Sequence, residues 1–526
     1  MHWLDLLIIA AYALGLLSLG YFFKNQQDDE DYYLGGRSFG WFELGLSTMA
    51  TQLSAVSFLS ASAFVGLRAG GGLKWLAYDL AVPLAMIFLI TLHLPRLYKA
   101  RVVTIYEYLE RRFDATTRVL ISGVFQFSRS FATGIMLYTM AFVLANVMDI
   151  PLWQTILGSG LVTIFYSLQG GMKAVVWGDA IQMILLLVGI FVCIFYGLHL
   201  LGGWDGFVAN LDTTRLETLN FESLGINGED GFGFWPMVLG GLFLYASYYG
   251  CDQSEVQRAL SAKDLKTVRR ALLFNGIGRF PITLSYSLMG LVIGTFAMVA
   301  PAFGEQIPGD RPDYMMPIFI AQYLPPGIRG LLLVAILAAA MSSLSSAVNS
   351  LSAATVRDFI TRARKRPVTA KQSLQYSKLA SLGWGLLCIG LAFVAGNIAP
   401  TVVEAINKIG SVFYGPVLAT FLLALTSKRT HASAANVGLI AGVGLNLVMW
   451  LLVGEDLVFW IWWNVTGTLA TLGVGLLAAR VLPGTPKPLE AGLEETRPRW
   501  HAEATLLAVY FFVIIAVALL IGNLAG

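Results

Sequence analysis

Apolar runs of about twenty residues, the length a helix needs to cross a bilayer, recur from one end of this chain to the other. Nothing else in the sequence limits the fold so tightly. In hydrocarbon every backbone N–H and C=O must be satisfied inside the protein, so runs of this kind become helices. Hydropathy predicts about fourteen spans, at 3–23, 40–67, 73–95, 117–147, 152–168, 175–200, 234–250, 270–300, 327–360, 373–395, 400–426, 432–454, 457–481 and 503–524. Charged residues make up 13% of the 526, against roughly 25% in a soluble globular protein. The expected fold class is an all-α polytopic membrane protein, and no polar stretch is long enough to form a receptor or kinase domain.

The charges that remain alternate from loop to loop. One set of loops holds Arg96, Lys99, Arg101, Arg111, Arg112 and Arg118, then Arg258, Lys263, Lys266, Arg269 and Arg270, then Arg357, Arg362, Arg364, Lys365, Arg366 and Lys371. The opposite loops hold scattered basic residues such as Arg68, Lys74, Arg215 and Arg311. By the positive-inside rule the first set is cytoplasmic, which puts both termini of this multi-pass chain on the outer side of the cell membrane. The first run lacks a basic start and a small-residue cleavage site, so it reads as a retained helix, not a signal peptide. Cys193, Cys251 and Cys388 lie in apolar or membrane-edge context and suggest neither a disulfide framework nor a metal cluster. A nucleotide-binding glycine loop, a nucleophile elbow and histidines at metal-ligand spacing are all missing from the sequence, which argues against an enzyme.

Several spans carry what a plain anchor would not. Ser342, Ser343, Ser345 and Ser346 sit inside an apolar helix. Ala339, Ser342, Ser345 and Ser346 share one face, because steps of three and four residues return to the same side. Such hydroxyls either bond back to their own helix and let helices pack closely, or offer hard neutral oxygens to a small alkali cation. The span 40–67 adds Ser47, Thr48, Thr51, Gln52, Ser54, Ser57, Ser60 and Ser62, and the glycine-rich span 234–250 adds Tyr245, Tyr248 and Tyr249. Polar or interrupted spans at matching places in two five-helix halves, here 40–200 and 234–426, are the mark of an inverted repeat. Residues 1–39 would then be a leading helix and loop, 201–233 an outer loop, and 427–526 additional helices, all in one transmembrane domain. Arg129, Asp179, Arg279 and Lys408 lie at membrane depth, where a charge needs compensation. Lys173 is six residues before Asp179 and off its face, Glu404 is one turn before Lys408, and Arg279 is placed to snorkel or to serve a gate.

Longer motifs carry a resemblance. Asp31-Tyr32-Tyr33-Leu34-Gly35-Gly36-Arg37-Ser38, Tyr106-Glu107-Tyr108-Leu109-Glu110-Arg111-Arg112-Phe113 and Gly170-Gly171-Met172-Lys173-Ala174-Val175-Val176-Trp177-Gly178-Asp179 resemble the sodium/solute symporter family. So do Asp252-Gln253 with Val256-Gln257-Arg258, and the serine segment with Asn349-Ser350, over about residues 5–430 in all. The most similar branch holds sodium-coupled sugar, sialic acid, monocarboxylate, multivitamin and iodide transporters. This resemblance implies a LeuT-type inverted five-plus-five helix repeat with flanking helices. It implies a first sodium site at the carbonyls of Ala50, Leu53 and Ala339 and the hydroxyls of Ser342 and Ser343, at a break in the second span that no glycine or proline marks. Members with a second sodium pair Asp179 with Ser342, Ser345 and Ser346.

For the solute, the resemblance implies Gln52, Ser54 and Ser57 near that break, with Tyr245 at a contact position and Tyr248 at an inner-gate position. Tyr78 matches a contact of the sialic acid branch, and Lys408 falls where sugar transporters place a glutamine. Arg129 lies one turn before that branch's carboxylate-binding arginine, and a guanidinium holds a carboxylate well through two hydrogen bonds. The expected function is uptake of a small organic anion (monocarboxylate, sialate-like or vitamin-like acid) coupled to inward sodium flow, by alternating access in a monomer embedded in lipid. A sugar or polyol symporter, and a sodium-responsive channel or sensor, are the alternatives. No nucleic-acid partner is expected.

Overall fold

The structure, a computed structural model, describes residues 2–53, 56–363, 368–395, 402–454, 457–488 and 499–525. The first half contains α1 (Trp3–Phe22), α2 (Trp41–Gln52), α3 (Ser57–Gly66), α4 (Leu73–Lys99), α5 (Ile105–Arg112), α6 (Ala115–Met148) and α7 (Leu152–Leu200). The second contains α8 (Gly241–Cys251), α9 (Gln253–Leu260), α10 (Leu265–Val299), α11 (Ile328–Ala363), α12 (Ala370–Val394) and α13 (Val402–Thr426). Then come α14 (Ala432–Val453), α15 (Trp460–Val481) and α16 (Ala502–Gly522). Among the described residues, eleven helices are long and apolar enough to cross a membrane, or twelve when α2 and α3 count as one bent span. Two expected spans account for the difference from fourteen. The runs 152–168 and 175–200 join in the single helix α7. The run 234–250 yields a five-residue π-helical turn and the eleven residues of α8, short of a full crossing.

Two local departures from helix geometry shape the centre. At the end of α2, Leu53 takes φ −80° and ψ 93°, and α3 sets off at 67° to α2. Within α7, Gly171 takes φ 54° and ψ −150°. A Cβ there would lie 2.7 Å from the Tyr32 carbonyl oxygen, so only glycine fits both the angle and the space.

The serine-bearing helix α11 is buried nearly throughout, with α1, α2, α6, α7 and α12 packed around it. Its start is fixed by Asp5 of α1, whose buried carboxylate accepts the Gly327 and Gly330 N–H groups at 2.7 and 2.9 Å. An anion at a helix N-terminus is favourable, and this one ties the leading helix to the core. Small residues bring α3 against α10, where a Cβ on Gly290 would meet the Ser62 carbonyl at 2.5 Å. Large apolar residues left exposed on α1, α7, α12 and α14 to α16, such as Phe195, Leu452 and Phe512, give the bundle an apolar outer surface suited to lipid.

Candidate functional site

Where α2 stops, its last carbonyls face the middle of α11. The Ser343 hydroxyl lies 3.4 Å from the carbonyl oxygen of Thr51 and 3.4 Å from that of Ala339. Ala50 and Leu53 are buried on either side of Thr51. Carbonyls freed by a broken helix are tolerated at membrane depth where they line a cavity or hold an ion. The arrangement gathers uncharged oxygens from two helices around the break.

Below it the same face of α11 meets a carboxylate. Asp179 of α7 is fully buried. It accepts from the Ser342 hydroxyl at 2.6 Å and from the Ser47 hydroxyl at 2.5 Å. Its cationic partner is Arg258 of α9, at 2.7 Å. Four of the five guanidinium N–H groups are used: Nε donates to Ser47, Nη1 to the Ser254 carbonyl, and Nη2 to both Asp179 and Ser346. Ser346 also lies 3.5 Å from the Thr51 hydroxyl, while Ser345 turns back to the Ser342 carbonyl at 3.0 Å. Lys173 pairs instead with Asp31, at 2.9 Å.

On the other side of the break lies a cavity with about 720 Å³ of empty space including its opening. Gln52, Ser57, Tyr78, Arg129, Tyr248 and Arg279 line it. Arg279 donates from Nε to Asp79 at 3.0 Å, and Tyr245 donates to the same oxygen at 2.8 Å. Tyr245 therefore stands behind the wall, its ring tilted by 35° against that of Tyr78 with centroids 4.6 Å apart. Arg129 meets the Tyr248 hydroxyl at 3.3 Å and Asp252 at 3.8 Å. Buried and without hydrogen-bond partners are Arg129 Nε and Nη2, Arg279 Nη1 and the Tyr78 hydroxyl. Gln52 accepts from Tyr249. Lys408 holds its ammonium over the Trp450 ring, 5.8 Å from the centroid, and the neighbouring Asn407 lines the cavity. Ser54 lies outside the described residues.

A cluster of uncharged oxygens beside a cavity lined by two guanidinium groups, built around a broken helix, is a layout suited to a secondary transporter. The sodium:solute symporter family matches residues 32–442. The chain belongs to this family. Among the family's relatives, the human sodium/iodide cotransporter is 29% identical over 86% of this chain and 69% of its own length. The sodium-coupled monocarboxylate transporter 1 of Xenopus laevis is 30% identical over 86% of this chain and 72% of its own. A sodium-coupled sialic acid symporter, solved outward-open with substrate, superposes with a TM-score of 0.83, at 25% identity over 93% of this chain and 100% of that one. Mhp1, a nucleobase-cation-symport-1 family transporter in a closed conformation, shares the fold at a TM-score of 0.54 and 14% identity over 92% of this chain and 99% of its own. The relatives are transporters, and the chain is a sodium-coupled symporter of the multi-pass membrane class.

Sequence reasoning passed over residues that the geometry brings forward. Asp79 is a carboxylate inside an apolar span, a signal equal to that of Asp179. Arg258 stands inside a quoted motif but reads there as a loop cation. Glu255, three residues before it, is likewise buried at 3% exposure. Asn407 carries no charge to draw notice.

Proposed function

We propose that this protein takes up a small organic anion together with sodium by alternating access. The observation that carries the reading is the pair of buried guanidinium groups on one cavity with donors left over: Arg129 Nε and Nη2, and Arg279 Nη1. Buried donors without acceptors are costly. The Nε–Nη2 edge of Arg129 is the fork that a carboxylate fills with two charge-assisted bonds. Arg279 already has Asp79, whereas the nearest acidic oxygen to Arg129 is at 3.8 Å. A neutral sugar would satisfy donors but not the charge. The relatives are described as carrying iodide, monocarboxylates and sialic acid, all of them anions.

In this reading Ala50, Leu53, Ala339, Ser342 and Ser343 hold the first sodium, and Asp179, Ser342, Ser345 and Ser346 are the candidates for a second. Gln52, Ser57, Tyr78, Arg129 and Tyr248 contact the solute directly, Tyr245 acts through Asp79, and Lys408 flanks the cavity. Dividing α7 at Gly171 and counting α8 brings the spans to fourteen, with 40–200 and 234–426 as inverted halves and both termini outside. Sodium binding closes α2 onto α11 and completes the solute cavity beside it, so sodium and solute favour the same state and each raises the other's affinity.

The test is uptake into proteoliposomes with an inward sodium gradient, offered labelled short monocarboxylates and sialate, with competing carboxylates or sugars. Sodium-stimulated uptake blocked by carboxylates is expected. Uptake indifferent to replacement of sodium by choline would end the symport reading, and competition by sugars alone would end the anion reading.

A further inference from the structure

The short helix α9 runs between the solute cavity and the serine face of α11. Its ionisable residues fall at steps of three: Asp252 at the N-cap, then Glu255, then Arg258. Asp252 lies 3.8 Å from Arg129, and Arg258 lies 2.7 Å from Asp179. Asp179 has its counter-ion in Arg258 and Asp252 has a distant one in Arg129, which leaves Glu255 as the acid of the row without a cation in hydrogen-bond contact. It is 3% exposed, and neither carboxyl oxygen has a hydrogen-bond partner.

Glu255 borders a small cavity walled by Leu44 and Thr48 of α2, Leu94 of α4, and Val268 and Leu272 of α10. Those three helices bring no charged group to it. The charged and titratable groups that do face it are Arg258 and Asp252 on its own helix, Arg129 from α6, and Tyr248 and Tyr249 from α8. Four of the five N–H donors of Arg258 are engaged elsewhere, and neither Glu255 oxygen receives the fifth. An ionised Glu255, with the Tyr248 hydroxyl beside it but no hydrogen bond formed to either oxygen, would be a poorly served buried charge, which is costlier than taking up a proton.

We infer that Glu255 is a proton site linked to sodium binding: it holds a proton while Arg258 is on Asp179, and releases it when a sodium ion takes Arg258's place among Asp179, Ser342 and Ser346. The freed guanidinium is three residues along the same helix, on the same face as Glu255, and becomes the counter-ion of the new carboxylate. One monovalent cation enters and one proton leaves to water, so the cluster keeps its net charge. This inference rests on the sodium-coupled reading above.

The test adds sodium chloride, against choline chloride, to the purified protein in weakly buffered detergent with a pH indicator, and follows binding with radioactive sodium. About one proton released per protein is expected, with sodium affinity tightening as pH rises, by up to about tenfold per unit. Glu255→Gln, which mimics the neutral acid, is expected to release none and to bind sodium independently of pH. Infrared spectroscopy of the unsubstituted protein reads the same event without a variant: the carbonyl band of a buried carboxylic acid is present without sodium and lost with it. Sodium binding without proton release, release that persists in Glu255→Gln, or a carbonyl band indifferent to sodium would each overturn the linkage. Failure of sodium to bind at all would instead remove the symport reading on which it stands.

Discussion

Arg129 and Arg279 share a cavity but have different counter-charges, and substitution should separate them. Arg129 has spare donors and only a distant carboxylate. Charge-assisted hydrogen bonds contribute about 1.5–3 kcal/mol, so Arg129→Lys, which removes the planar fork and keeps the charge, should raise the KM for anion uptake about tenfold or more. Arg279 is tied to Asp79 at 3.0 Å with both groups buried. Asp79→Ala leaves an uncompensated buried cation and should cost about 3–5 kcal/mol of stability; a lowered Tm in detergent reads it, and Asp79→Asn with Arg279→Gln should recover part of the loss. At the sodium face, Ser343→Ala removes the hydroxyl between the Thr51 and Ala339 carbonyls. It should weaken sodium dependence about tenfold, the equivalent of one net hydrogen bond; unaltered half-saturation by sodium would remove Ser343 from the site. Single charges at depth are legible in the sequence because each stands alone in an apolar run. Their pairing is not: Arg279 and Asp79 are 200 residues apart, while helical periodicity speaks only of neighbours on one helix. Asn407 and Lys408 make the same point, since adjacent positions face about 100° apart and hydropathy does not fix which one looks into the cavity.

Among the helices, the departures from regularity matter more than the lengths. The break after Gln52 has no glycine or proline, so propensity is silent about it. Its partner, the Ser343 hydroxyl, comes from 292 residues away, and tertiary contacts of that kind override local preference. Family resemblance, together with the Ser and Thr content of the span, is what points to a break here. Gly171 is the reverse case, because its role is local. Its φ of 54° and ψ of −150° fall in a region open to glycine and strained for other residues by about 1–3 kcal/mol. The Tyr32 carbonyl, 2.7 Å from an added Cβ, leaves no room for relief. Gly171→Ala should therefore lower Tm, and it should do so with or without sodium, since the strain lies outside the ion cluster. A loss confined to the sodium-bound protein would instead tie this bend to the transport cycle. Hydropathy detected the two runs on either side of Gly171, but it has no means of telling a kinked helix from two separate ones.

For the whole molecule, the alternation of basic loops makes a prediction that helix packing alone does not, because packing is indifferent to which side of the membrane is which. Charge asymmetry sets orientation through the loops nearest the spans. If the loop bearing Lys263 and the Arg357 end of α11 are cytoplasmic, the loop bearing Asp310 and both chain ends are outside. The protein is suited to a labelling test because its three cysteines, Cys193, Cys251 and Cys388, are all buried, so background reaction with a membrane-impermeant maleimide should be low. Asp310 and Lys263 are both exposed, so a cysteine at either position is accessible from its own side. Asp310→Cys should label in intact cells, and Lys263→Cys only after the membrane is permeabilised. The opposite pattern would invert the carrier, and with it the direction in which a sodium gradient drives uptake. Each sodium moving inward releases about 2.3 kcal/mol per 100 mV of membrane potential, so orientation decides whether that energy accumulates solute or expels it.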